Sequence, residues 1–123
     1  MRQFLLCVLL ALSQAAWAAN TLTADEAKNH IGETATVCGV VASTHYAEQT
    51  KGSPTFVNLD KPYPNQVFTV LIWGEDLPKF SPKPSTWDGK RVCATGAITS
   101  YQGRPEIVAK APGQVRVEEQ KPK

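Results

Sequence analysis

Two hydrophobic patterns divide the chain. From Phe4 to Leu12 nearly every residue is apolar, with Cys7 the exception; from Thr34 onward apolar and polar positions alternate in short runs separated by glycine, proline and asparagine. The first run is nine residues long. That is too short for a hydrocarbon core roughly 30 Å thick, which takes about 20 residues in a helix. Met1-Arg2-Gln3 places a positive charge ahead of the run, Ser13-Gln14 ends it, and Ala16 and Ala18 put small residues on either side of Trp17. This is the pattern of a secretory signal peptide, residues 1–18, cleaved after Ala18. Leu6 in front of Cys7 argues against a lipidated cysteine, which needs a small residue before it and an apolar run ahead of it.

Thr23 and Glu26 have the spacing of a capping box, and Ala27 to Ile31 followed by Gly32 predicts a helix of two turns within an N-terminal segment, residues 19–31. The alternating runs then predict strands over Thr34–Thr44, Thr55–Asp60, Val67–Trp73, Arg91–Tyr101 and Pro105–Lys110, with a possible extension at Val115–Val117. Turn chemistry separates them at Gly52-Ser53-Pro54, Pro62-Tyr63-Pro64-Asn65, Asp88-Gly89 and Gln102-Gly103. Glu75–Asp88 carries Pro78, Pro82 and Pro84, which predicts an extended link with at most one helical turn near Asp76 to Phe80. Glu118–Lys123 reads as a charged, frayed tail.

Two of the strands share a pattern, Gly-x-x-apolar-x-apolar-x-Gly-x-apolar, from Gly32 to Val41 and from Gly89 to Ile98. A two-residue period places Ala35, Val37, Gly39 and Val41 on one face, and Val92, Ala94, Gly96 and Ile98 on the matching face of the other strand. These faces suit a barrel interior, with glycine where a strand must bend sharply. Cys38 and Cys93 fall on the opposite faces, where a bridge is reasonable if the two strands are neighbours.

Composition narrows the choices. Removing eighteen of 123 residues leaves 105, one small domain. The only charge removed is Arg2, so the net charge falls from +2 to +1. A near-neutral chain is a poor fit to proteins that bind duplex DNA mainly by neutralising phosphates. Two cysteines in an exported domain are most simply a Cys38–Cys93 disulfide. There is no Cys-x-x-Cys spacing, and His30 and His45 sit in no ligand pattern, so neither a metal nor another cofactor is expected.

The strand set, the glycine-centred first strand and Gly89-Lys-Arg-Val-Cys-Ala-Thr-Gly-Ala-Ile98 together resemble an OB-fold, a five-stranded Greek-key barrel. More narrowly, Val37–Val41, Thr55–Asp60, Phe68–Gly74 and Gly103–Ile107 are similar to small exported bacterial OB-fold proteins labelled nucleic-acid-binding-like. The resemblance implies an all-β barrel over residues 32–117 behind a short N-terminal helix. It also implies a ligand face on the outside of the second and third strands, where bases stack on aromatics beside a basic track. Parity turns Phe56, Asn58 and Trp73 outward, with Tyr46 and Tyr101 at the loops; the plainer reading covers Phe56, Leu71 and Trp73 with the N-terminal helix or the tail.

Lys51, Lys61, Arg104 and Lys110 flank these strands and are candidates for phosphate contacts, or simply solubilising charges. Arg104 is favoured because Gly103 and Pro105 hold it. Tyr63, between two prolines, is either a presented recognition residue or part of a rigid hairpin turn capped by Asp60 and Asn65. A nuclease would need clustered carboxylates and arginines; Asp60, Glu75 and Asp76 have no arginine near them in sequence, and His45 has no nucleophile tied to it, so no catalytic residue is assigned. The expectation is a periplasmic or secreted monomer, without stable membrane insertion, that binds single-stranded, extracellular or incoming nucleic acid. The alternatives are an envelope-stress or protein-interaction module that binds an envelope or secreted protein or a saccharide, and an accessory to a secreted nuclease.

Overall fold

The structure is a computed structural model and describes residues 20–118. The expected leader at 1–18 and the tail residues 119–123 lie outside the described residues. Seven strands form: β1 (Thr21–Thr23), β2 (Thr34–Tyr46), β3 (Thr55–Leu59), β4 (Phe68–Ile72), β5 (Arg91–Tyr101), β6 (Arg104–Val108) and β7 (Val115–Glu118). The five expected strands are β2 to β6, and the possible extension at Val115 is a full strand. Glu118 belongs to β7, where it pairs with Arg91 in the ladder, so the frayed tail does not begin there.

The pairing order is β1-β2-β3-β4-β6-β5-β7, and β2 also pairs with β5. The sheet thus curls into a partial ring, with β1 and β7 added beside it. This is not a clean five-stranded barrel. Two polar-flanked strands too short to show a period, β1 and β7, extend one side of it.

β2 and β5 are long because each serves three partners, β2 pairing with β1, β3 and β5, and β5 with β2, β6 and β7. The first half of β2 runs antiparallel to β5, Thr34↔Ala97 to Val40↔Arg91, while its second half pairs with β3 as far as Tyr46↔Thr55. The change of partner falls at a register shift between Val41 and Ser43, where an extra residue lets a strand bend. The repeated glycines sit where neighbours come close: a Cβ on Gly39 would lie 2.8 Å from Asp60 Oδ1, and one on Gly96 3.0 Å from Ile107 Cγ2. Both therefore serve close approach of neighbouring strands, whereas the sequence pattern pointed to sharp bends. Asp60, at φ 68°, accepts a hydrogen bond from Val40 N at 3.0 Å, which makes it a backbone clamp at the bend.

The inward faces of β2 and β5 follow the two-residue period. Ala35, Val37, Val41, Val92, Ala94 and Ile98 are all buried with Val57, Leu59, Val70 and Ile107. The proline-rich link between β4 and β5 holds two short 3₁₀ turns, Leu77–Lys79 and Pro84–Thr86, where at most one was expected. It supplies Phe80 and Trp87 to the core, edge to face with centroids 6.1 Å apart, and Trp87 Nε1 donates to Pro82 O.

The expected two-turn helix is instead one 3₁₀ turn, Glu26–Asn29. Its capping box is real: Thr23 N donates to Glu26 Oε1 at 3.0 Å and Glu26 N donates to Thr23 Oγ1 at 3.2 Å. These bonds hold the Glu26 carboxyl below its ordinary pKa. After it Gly32 N donates to Ile98 O and Glu33 N to His30 O, so the chain turns into β2 where a second helical turn would have to form.

Where the β5–β6 ladder ends, one amide spans the gap. Gln114 Nε2 donates to Thr95 O and Val108 O, and its Oε1 accepts from Lys110 N and Ala111 N. On the outer face of the β2–β5 pair, Thr36 and Thr95 hydrogen-bond side chain to side chain at 2.7 Å. Beside them Cys38 and Cys93, directly opposite in register, form the disulfide. The bridge is buried, and it fits an oxidising compartment. No helix among the described residues is long and apolar enough to cross a membrane.

The disulfide spans a sequence separation of 55 residues. Replacing both cysteines by serine is expected to lower stability by on the order of 4 kcal/mol through the unfolded chain's regained freedom. A urea melt reads this as a lower midpoint with a steeper slope, because the freed unfolded chain exposes more surface; an unchanged midpoint would show that the bridge contributes nothing.

Candidate functional site

The outward faces of β2, β3, β4 and β6 carry a row of polar side chains set by the ladder register. Ser43 lies opposite Asn58, Asn58 opposite Thr69, and Thr69 opposite Glu106. Asn58 Nδ2 donates to Ser43 Oγ at 3.1 Å, and Thr69 Oγ1 donates to Asn58 Oδ1 at 3.1 Å. Asn58, Thr69 and Glu106 are all buried, although they point away from the apolar core. They are the floor of a groove of about 740 Å³.

Loops build its walls. Ala47 and Thr50 come from the β2–β3 connection; Pro62, Tyr63, Pro64 and Gln66 come from the β3–β4 connection. The two-residue turn Gln102-Gly103, with both φ values positive at 51° and 78°, puts Tyr101 opposite Arg104 on a third side. This backbone suits glycine at the second turn position, as in the tight hairpins that match strand twist. Tyr63 is 74% exposed and Tyr101 57%. Arg104 Nη1 donates to Gln66 O at 3.4 Å, so its stem is steered along the wall. Among the described residues it is the only Lys or Arg in the lining.

Of the nine expected ligand residues, the groove gathers Phe56, Asn58, Tyr63, Tyr101 and Arg104. Phe56 is half-buried and stacks on His45, with centroids 6.5 Å apart and rings 11° from parallel. Asn58 is no free surface group; its amide is fixed by Ser43 and Thr69.

Trp73 is displaced from the expected platform. β4 ends at Ile72, and the indole lies over the β2–β3 turn: a Cβ on Gly52 would meet Trp73 Cε3 at 2.9 Å. Gly52, at φ 81°, is thus required both by its backbone and by the ring above it. Lys51, Lys61 and Lys110 are exposed but outside the lining. The basic track is therefore reduced to Arg104.

The carboxylates weighed for a nuclease are apart from the groove. Asp60 clamps Val40 N, and Asp76, buried, pairs with Lys79 Nζ at 2.6 Å. Among the described residues, no group of three His, Cys, Asp or Glu side chains is arranged to hold a metal ion. Ser43, His45, Gln66, Thr69 and Glu106 were not among the expected ligand residues. Their signal was parity: Thr69 and Glu106 are polar residues at outward positions of otherwise apolar strands.

Burial pushes the Glu106 carboxyl above its ordinary pKa. No hydrogen bond or ion pair of that carboxyl is found among the described residues, whereas its own backbone carbonyl accepts from Thr99 Oγ1. Gln66 Oε1, also in the groove, is buried without a partner.

No protein-family model matches the chain, and no curated protein matches it. Among solved structures, it is similar to part of a protein from Leishmania major Friedlin assigned as an aspartyl-tRNA synthetase, with 10% identity and a TM-score of 0.50. The match covers 87% of this chain and spans 22% of that one. At this identity the likeness concerns the fold alone.

A carboxyl whose pKa is raised by folding binds its proton more tightly in the native state. Glu106 therefore costs stability as pH rises through the carboxylate range, and costs nothing where both states are protonated. Glu106→Gln is expected to melt a few degrees above the wild type near pH 7 and at the same temperature near pH 3. Parallel melting curves for the two proteins across this range would show that the carboxyl is not desolvated.

Proposed function

We propose that this chain is an exported, non-catalytic OB-fold module whose groove binds single-stranded nucleic acid. The observation that carries the reading is the groove itself, a polar floor across the outer face of β3 and β4 with exposed Tyr63 and Tyr101 and the Arg104 guanidinium on its walls. The ring order β2-β3-β4-β6-β5 with its return pairing to β2 supports the OB-fold assignment, and so does the synthetase likeness. Tyrosine faces accept any base by stacking, while a cation beside them meets the backbone. Export rests on the leader pattern and on the buried disulfide.

The groove also favours a particular balance of forces. With one cation in the lining, stacking and hydrogen bonds contribute more than phosphate neutralisation. The same scarcity of charge supports a second reading, a neutral saccharide or a protein segment in the same groove, since tyrosines and amides serve these ligands too.

Fluorescence polarisation with a labelled mixed-sequence single strand tests the first reading. One phosphate contact predicts a shallow salt dependence, a log–log slope of about −0.7. Tyr63→Ala and Tyr101→Ala are each expected to weaken binding by roughly 5- to 150-fold, the range for one stacked base. Trp73→Ala is expected to leave affinity within about twofold while lowering the melting temperature, since the ring covers a turn rather than the groove. Absence of binding at low salt would remove the nucleic-acid reading; saturable binding of a neutral oligosaccharide instead would establish the second.

A further inference from the structure

The hydrogen bonds along the groove floor run in one direction. Asn58 spends an amide hydrogen on Ser43, and Thr69 spends its hydroxyl hydrogen on Asn58. Next to Thr69 in the row stands Glu106, a buried residue whose carboxyl lines the groove and makes no hydrogen bond or ion pair among the described residues. Gln66 Oε1, in the same lining, is a buried acceptor without a partner. Arg104, two positions before Glu106 on β6, donates to Gln66 O rather than to the carboxyl. The Glu106 end of the floor therefore offers lone pairs and few hydrogens. An ionised carboxylate only accepts, so the ligand edge that completes this site is one that donates.

We infer that Glu106 is a specificity-determining residue that selects guanine, by accepting two parallel hydrogen bonds from its Watson–Crick edge. This rests on the nucleic-acid reading of the groove and deepens it. A carboxylate has two oxygens side by side and takes paired donors best in a fork. Guanine presents N1–H and the N2 amino group as adjacent donors, with O6 turned away from the carboxylate. Adenine and cytosine each pair one amino donor with a ring-nitrogen acceptor, which the carboxylate repels. Thymine and uracil have one N–H between two carbonyls. Among the five bases only guanine meets two carboxylate oxygens without an opposing lone pair. A base stacked on a wall tyrosine has this edge available to the floor, since stacking uses only the ring face.

The test compares four labelled oligonucleotides of equal length: thymine throughout, and the same strand with its central base changed to guanine, to hypoxanthine or to adenine. The wild-type protein is expected to bind the guanine strand more tightly than the adenine strand by on the order of tenfold to a hundredfold. Hypoxanthine keeps N1–H and O6 but lacks the N2 amino group, so it is expected to lose most of that preference. This comparison needs no protein variant. Glu106→Gln, which exchanges one acceptor oxygen for a donor, is expected to bring the guanine-to-adenine ratio close to one. Equal binding of guanine and hypoxanthine strands, or a ratio unmoved in the glutamine variant, would overturn the inference and leave the nucleic-acid reading in place. No binding of any of the four at low salt would remove both.

Discussion

β2 and β5 each belong to both sides of the curled sheet, and the rest of the molecule depends on their bend. A strand that changes partners midway leaves main-chain groups that neither ladder satisfies, and a buried unpaired group is costly. Here Asp60 Oδ1 takes Val40 N, Val41 N finds Lys90 O, and Gly89 N finds Val41 O. Gly39 gives Asp60 the space to reach in. The disulfide then ties the two strands together one residue from that glycine. With the bend held, β3, β4 and β6 complete the ring, and their outer face, walled by the flanking loops, becomes the groove.

The polar row in that groove runs against the ordinary economy of a small domain. Asn58, Thr69 and Glu106 are buried on a face that could have been apolar, and polar groups are stable there only when hydrogen-bonded. Two of the three meet that condition through each other and Ser43. Glu106 makes no such bond, and burial raises its carboxyl above the ordinary pKa. Local destabilisation of this kind concentrates at binding sites, where a ligand completes what the protein leaves open.

Much of the fold was legible in the sequence because strand parity and glycine spacing carry it directly. The matched runs from Gly32 and Gly89 became the two long strands, and their cysteines met in register. The N-terminal helix is shorter than expected because the capping box reports how a helical turn starts, not how far it continues; Gly32 N bonds across to Ile98 O and ends it. Trp73 was assigned to the outer face by continuing the period of β4 one residue too far, past the point where the strand ends at Ile72. The groove residues Tyr63, Tyr101 and Arg104 were visible from turn chemistry. The floor was visible only as isolated polar letters at outward positions, and nothing in one strand's sequence says that Ser43, Asn58, Thr69 and Glu106 share a row. That juxtaposition is a property of register between strands far apart in the chain.

The walls and the floor of the groove come from different kinds of structure. Tyr63 stands on a connection between β3 and β4, and Tyr101 and Arg104 border a two-residue turn. The floor side chains sit inside ladders whose opposite faces are the core. Loop residues tolerate exchange and even changes of length far better than strand residues. How firmly a ligand is gripped, and how long a ligand fits, can therefore drift among descendants of this sequence without disturbing the framework. The hydrogen-bonding preference of the floor cannot drift so freely, and two diverged copies would differ in their grip before they differed in what they recognise.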